Sequence, residues 1–257
     1  MYNLEIKFKN VCENKAEEIV DEIQGLLAVL RKNGQILDTD CPIVELQGKQ
    51  LGVHVLTYEE TSLELENCNT YVKNAFDRLK ELNVDEIAVE SLGKYPASSD
   101  ACDCKKINSY ILFTHFLSIE SPLSCGDCFA SIPLYKIPHL EGGEYLDILS
   151  WQSNYKACDS LQMGCKVGEK FATKQMSKLN SSLNRQGLKL CKRIYKKTSI
   201  PTYYYLYRPN CSSSSKELKR KCPSCSKKWL LENSWHRIFD FKCDNCFLLS
   251  NIAWGLK

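Results

Sequence analysis

Cys222-Pro-Ser-Cys225 and Cys243-Asp-Asn-Cys246, with 17 residues between them, decide how the end of this chain folds. Each Cys-x-x-Cys pair makes a tight turn that presents two thiolates to one metal ion. The stretch between them is long enough for an out-and-back strand pair that brings the two turns together. Four cysteines at this spacing predict a tetrahedral structural zinc site. Four thiolates leave no open coordination position, so such a site folds a small module and performs no chemistry. Metal affinity is then the folding energy of the module. Trp229, Leu230 and Trp235 are expected to cover the metal or pack against a neighbouring domain.

The residues around this module are strongly basic. Lys219-Arg220-Lys221 stand directly before the first turn, and Lys227 and Lys228 follow it. Upstream, Lys170, Lys174 and Lys178 recur every four residues, a spacing that predicts one helical stripe. Lys189, Lys192, Arg193, Lys196 and Lys197 come next. Residues 166–257 carry 20 Lys/Arg against 5 Asp/Glu, a net of +15, whereas residues 1–165 carry 14 against 26, a net of −12. The overall +3 conceals this asymmetry. A zinc on four thiolates removes about two units from the basic half. What remains attracts polyanions, nucleic acid first, with Lys170, Lys174, Lys178, Lys192, Arg193, Lys219, Arg220, Lys221, Lys227 and Lys228 as candidate contacts. The competing readings are a solvated lysine face and neutralisation by the acidic half. Tyr203, Tyr205 and Tyr207 share one strand face; they can stack unpaired bases or pack against the core.

A further turn, Cys125-Gly-Asp-Cys128, lies mid-chain. With Cys158 and Cys165 it makes a candidate second zinc site, and Cys102, Cys104 and His115 are rival ligands. Reduced core cysteines and a thioredoxin-like pair are the alternatives, the latter weakened because Pro133 soon interrupts the helix it requires.

The N-terminal stretch reads as β-α-β-β-α-β. Leu4, Ile6 and Phe8 alternate inward on a strand over residues 2–9, and Asn14 opens a helix through Lys32 that Gly34 ends. Ile19, Ile23, Leu26, Leu27 and Leu30 form the apolar face of that helix. Strands follow at 43–46 and 51–58 with Gly48 in the turn, then a helix over 67–82 with Tyr71, Ala75, Phe76 and Leu79 inward, then a strand over 85–92. The expected class is α+β: a ferredoxin-like domain at 1–95, a mixed α/β middle domain at 104–209 and a zinc ribbon at 216–257. Pro96–Asp103 and Ser212–Ser215 are the expected linkers. In the middle domain, a strand over 110–119, helices over 144–158 and 169–186, and a strand over 203–208 are predicted, with Phe171, Met176, Leu179 and Leu183 buried.

From Cys125-Gly-Asp-Cys128-Phe129 and Ile132-Pro-Leu-Tyr135 through Trp151-Gln152, Cys158-Asp159, Leu161-Gln-Met163, Gly168-Glu169 and Pro201-Thr-Tyr-Tyr-Tyr205 to the four-cysteine ribbon, the chain resembles a bacterial family of uncharacterised proteins. That family is described as containing a zinc ribbon, with nucleic-acid binding suggested for it. Many ribbons place Gly after the second cysteine of a turn, whereas Ser226 and Phe247 stand here.

Catalysis finds little in the sequence. There is neither a phosphate-binding Gly-x-x-x-x-Gly-Lys nor a Gly-x-Gly-x-x-Gly turn. Of the four histidines only His139-Leu-Glu141 matches the His-x-Glu of zinc deaminases, and no Pro directly precedes the first cysteine of a later pair. No 18-residue apolar span and no basic-then-apolar leader are present, so no membrane segment is expected. Fifteen cysteines without an export signal suit reduced thiols in the cytoplasm. The expectation is a non-enzymatic zinc protein that binds nucleic acid through its basic half. The alternative is a protein-interaction module, such as an immunity-type inhibitor of a nuclease toxin, acting through its acidic half.

Overall fold

A computed structural model describes residues 1–84, 86–96, 98–140 and 142–256, which divide into two units. The first comprises residues 1–101, 119–121 and 130–146; the second comprises 102–118, 122–129 and 147–257.

The first unit begins with β1 (Tyr2–Phe8), whose alternation puts Leu4, Ile6 and Phe8 in the core. A short 3₁₀ turn at Glu13–Lys15 leads into α1 (Ala16–Lys32), so Asn14 lies in that turn and the cap position falls to Lys15, which makes no side-chain cap. The buried face of α1 is the predicted one: Ile19, Ile23, Leu26, Leu27 and Leu30. Two hydrogen bonds, from Gly34 N–H to Arg31 O (2.9 Å) and from Gln35 N–H to Leu30 O (3.0 Å), close the helix as a Schellman motif. Gly34 has φ +71°, and a Cβ there would sit 2.7 Å from Leu134 Cβ, so no other residue fits this end.

β2 (Ile43–Leu46), β3 (Gln50–Thr57), α2 (Thr70–Glu81) and β4 (Ile87–Lys94) follow. The expected start of the last strand, Asp85, lies outside the described residues. The sheet order is β2-β3-β1-β4 with every neighbour antiparallel, and Ile6 on β1 faces Val53 on β3 and Val89 on β4. On α2 the inward stripe is Val72, Ala75 and Leu79, whereas Tyr71 is 46% exposed. The helix starts after Asn69, which caps it by accepting from Val72 N–H (2.9 Å).

The second unit is built on a six-stranded mixed sheet, ordered β6-β5-β7-β10-β9-β8. Its strands are β5 (Tyr110–Leu112), β6 (Leu123–Cys125), β7 (Thr202–Tyr205), β8 (Leu230–Trp235), β9 (Phe239–Cys243) and β10 (Leu248–Ser250). β7 pairs in parallel with both β5 and β10, so the strands of segment 216–257 continue the sheet of the middle region. The helices are α3 (Leu146–Gly164), α4 (Glu169–Ser177), α5 (Ser182–Thr198) and α6 (Ser214–Leu218). Two expectations fail here. The single helix at 169–186 is two, because Ser181 caps α5 by accepting from Asn184 N–H (3.1 Å). The buried Asn184 amide also donates to Met176 O (3.1 Å) and Lys178 O (2.8 Å) and thus fixes the corner. The serines at 212–215 form no simple linker, since Ser213 caps α6.

Packing explains the position of α5. Trp151 and Tyr204 are fully buried and meet edge to face at 5.9 Å. A Cβ on Gly187 would lie 2.1 Å from Tyr204 Cε2 and 2.8 Å from Trp151 Nε1, so glycine alone lets α5 lie this close. Phe171, expected inside, is 60% exposed, and Leu179 is half-buried; Met176 and Leu183 are in the core.

Candidate metal centres

Cys222, Cys225, Cys243 and Cys246 converge, with all four Sγ atoms within 4.8 Å of one another. Cys225 and Cys243 are 3.6 Å apart at sulfur. Zinc–sulfur bonds of about 2.3 Å in a tetrahedron require a sulfur–sulfur edge of about 3.8 Å, so the cluster has the dimensions of a zinc site. The first turn is closed by Ser226 N–H to Cys222 O and Cys222 N–H to Lys227 O, both 2.9 Å. Ser226 (φ 59°) and Phe247 (φ 50°) follow the second cysteine of each turn in left-handed conformation, where glycine is usual. A side chain there costs free energy that the closed site must offset. Backbone N–H from Lys227 draws the Cys225 thiol down to about 7, while burial and then the neighbouring thiols push Cys243 up to about 12. Four adjacent thiols resist ionising together; a divalent cation removes that resistance and deprotonates its ligands.

The surrounding packing is aromatic and ionic. Arg220 lies 4.1 Å over the Phe241 ring and 4.8 Å over Trp229, and it pairs with the fully buried Glu217 at 3.1 Å. Trp229 Nε1 donates to Arg220 O (3.0 Å). Trp229 is buried as expected, Trp235 is half-buried, and Leu230 is exposed.

The second cluster is Cys102, Cys104, Cys125 and Cys128, again within 4.8 Å at sulfur, with Cys102 and Cys128 3.6 Å apart. It corrects the expected second set. Cys158 is buried on α3 and Cys165 is exposed just past that helix, because α3 runs on to Gly164 and carries both away from Cys125 and Cys128. His115 is not a member either. The missing ligands come from Cys102-Asp-Cys104, at the end of the stretch read as a linker.

The mid-chain turn resembles the other two in backbone. Phe129 N–H reaches Cys125 O (2.9 Å), Phe129 is left-handed (φ 65°), and Asp127 N–H points at Cys125 Sγ (3.4 Å). The Asp127 carboxylate accepts from Asn108 N–H (2.9 Å) and Asn108 Nδ2 (3.0 Å), which holds it below the usual range. A Cβ on Gly126 would meet Ser109 Oγ at 2.0 Å. From the β8–β9 turn, His236 stacks on Phe129 at 4.8 Å and places Nε2 2.8 Å from Gly126 O. His236 (φ 53°) and Arg237 (φ 61°) are both left-handed, the geometry of a tight hairpin turn.

The candidate contacts for nucleic acid sort by burial. Lys170, Lys174, Lys178, Lys192, Lys219, Lys221, Lys227 and Lys228 are all exposed. Lys178 caps α4 with extended backbone and so leaves the predicted stripe. Arg193 is mostly covered and pairs with Asp147, and Arg220 is part of the packing just described. Two of the tyrosines are core: Tyr203 and Tyr205 are 5% exposed and donate to Asp244 and Asn251, which overturns their reading as base stackers. One member of the basic row along α5 was missed in the sequence: Arg185 joins Lys189, Lys192 and Lys196 at spacings of four, three and four, on the solvent side of the helix. Its signal appears only once the helix is known to start at Ser182.

His139 packs on Tyr145 (4.7 Å) and meets Asn33 Oδ1 (3.1 Å), while Glu141 lies outside the described residues. No helix of the described residues is long and apolar enough to cross a membrane.

Three family profiles match the chain, all described as domains of unknown function: DUF8589 over residues 1–93, DUF2310 over 104–207 and DUF8594 over 211–256. An "Uncharacterized protein" of Haemophilus influenzae is 35% identical over 263 aligned residues, covering 99% of both chains. A second "Uncharacterized protein" of the same organism is 43% identical over 149 residues, covering 56% of this chain and 71% of its own.

Proposed function

The chain belongs to the family of the Haemophilus influenzae protein that it matches end to end, and on that premise we propose a zinc-structured, non-catalytic protein that binds nucleic acid through its basic C-terminal half. Zinc would be held by Cys222, Cys225, Cys243 and Cys246 and, in a second site, by Cys102, Cys104, Cys125 and Cys128. All-thiolate sites of this kind stabilise loops and leave no position for a substrate, which supports a binding role over an enzymatic one. Fifteen cysteines with no disulfide among the described residues suit a reducing compartment such as the cytoplasm. The strand order of the first unit supports a ferredoxin-like domain at 1–95, and the family matches support further segments near 104–209 and 216–257.

One observation carries the nucleic-acid reading. Lys219, Lys221, Lys227 and Lys228 reach solvent around the C-terminal metal turn, the α5 row does so in the same unit, and none of these forms an ion pair among the described residues. The inhibitor reading gains less, because part of the acidic surface is matched internally: Glu90 by Lys7, Glu22 by Arg78, Asp100 by Lys94 and Glu59 by Lys136.

Anisotropy titration with labelled oligonucleotides tests the reading. Binding at about 50 mM salt should weaken by orders of magnitude at about 200 mM, as counterion release requires. No measurable binding at low salt by protein that retains its zinc would refute it.

A further inference from the structure

A groove of about 420 Å³ lies in the second unit between α5 and the C-terminal cysteine turns. That volume falls in the range of small-ligand clefts, roughly 300–1,000 Å³. Resting on the nucleic-acid reading above and narrowing it to one place, we propose that this groove takes a single unpaired nucleotide of a single-stranded nucleic acid, base inward and phosphate outward.

The walls differ chemically in the way such a ligand requires. Leu188 and Leu248 are apolar lining, and Tyr195 and Phe247 stand together with ring centroids 6.0 Å apart. Tyr195 is 47% exposed, an aromatic face that a base can cover. Ser224 and Asn245, from the two metal turns, are exposed lining residues and offer hydrogen bonds to a base edge.

Charge sets the orientation. Lys192 lines the groove, and Arg185, Lys189 and Lys196 continue its row along the outer face of α5. Residues 188, 192 and 195 recur at four and three, so the groove wall and the basic row are adjacent stripes of one helix. Cys246 belongs to the other wall, where four metal-bound thiolates would carry net negative charge. Lys192 is the one cation among the described lining residues, so within the groove a phosphate is drawn to the α5 wall. Duplex bases, being paired and stacked, cannot enter a cleft of this kind, whereas an unpaired base can be turned into it.

The test uses the full chain with its zinc and labelled strands of about 12 nucleotides, a length within the span of known single-strand sites. The probes are oligouridylate, oligothymidylate and a duplex of matched length. Both single strands should bind at least about tenfold more tightly than the duplex, and the tighter of the two identifies RNA or DNA as the source. Tyr195→Ala should lose about tenfold with an unchanged salt slope, and Tyr195→Phe should restore it. Lys189→Ala with Lys192→Ala should flatten the slope by about 0.7 for each phosphate that is no longer neutralised. Equal affinity for duplex and single strand, or full affinity in Tyr195→Ala with its zinc content intact, overturns the groove and leaves the basic-face reading standing. Failure of every probe at low salt overturns both.

Discussion

The two units of this chain reach stability by different routes. The first buries a continuous apolar layer between α1, α2 and the sheet, with Ile19, Ile23, Leu26 and Leu30 all fully enclosed. The second spreads turns and short strands over 102–118, 122–129 and 147–257, with β5, β6 and β10 each only three residues long. Strands so short bring few ladder hydrogen bonds, and the left-handed residues Phe129, Ser226 and Phe247 add strain. Two thiolate clusters sit at these weak places. Both units bury apolar side chains, but these segments of the second depend on metal as well, and the two units should therefore fail under different insults.

Metal removal is the strongest way to break the comparison. Structural zinc contributes roughly 10–16 kcal/mol of apparent binding free energy at neutral pH. Incubation with a chelator should abolish amide protection over 102–118, 122–129 and 222–250, while the strands and helices of 1–95 keep theirs. Hydrogen exchange read by mass spectrometry separates the segments; equal loss in both units would show that the distinction is false.

Single ligands sharpen it further. Cys243→Ser and Cys102→Ser should each lower zinc from two per chain to one, because three thiolates cannot hold the ion closed. Cys158→Ser should leave two, since Cys158 lies on α3 outside both clusters. Metal analysis of the purified variants decides it, and loss of zinc in Cys158→Ser would restore the grouping that spacing alone suggested.

That grouping shows what a sequence can carry. Local periodicities were readable: the alternation of Leu4, Ile6 and Phe8, the stripe of Ile19 to Leu30, and the two Cys-x-x-Cys turns at 222–225 and 243–246. Each is a relation between near neighbours, enforced by strand, helix or turn geometry. Cys102 and Cys104 stood only as rivals to Cys158 and Cys165, because their partners Cys125 and Cys128 lie some twenty residues on, with no period linking them. The break between α4 and α5 turned on Asn184, whose three hydrogen bonds to Met176, Lys178 and Tyr204 exist only after folding. Tyr203 and Tyr205 do alternate, but every residue of β7 is buried because the strand lies inside the sheet, between β5 and β10, which its own sequence does not show.

The first unit should answer to core substitutions that leave the metal untouched. Ile23→Ala removes a fully buried side chain from α1 and should cost roughly 2–5 kcal/mol in denaturant unfolding of that unit, with zinc still at its wild-type content. A change in zinc content there would join two stabilities that are argued to be separate.

The smallest effect tests the detail of α2. Asn69 accepts from Val72 N–H (2.9 Å) at the helix start, and its amide donates to Gly143 O (2.8 Å) in the same unit. Asn69→Ala deletes both bonds, and loss of the cap alone is worth about 1 kcal/mol. Asn69→Asp keeps the acceptor and adds negative charge at a helix N-terminus, which is favourable, while losing only the bond to Gly143. The order of midpoints should therefore be wild type, then Asp, then Ala. If Asp falls as far as Ala, the tether to Gly143, not the cap, is what Asn69 supplies, and α2 is held by the loop beside it more than by its own first turn.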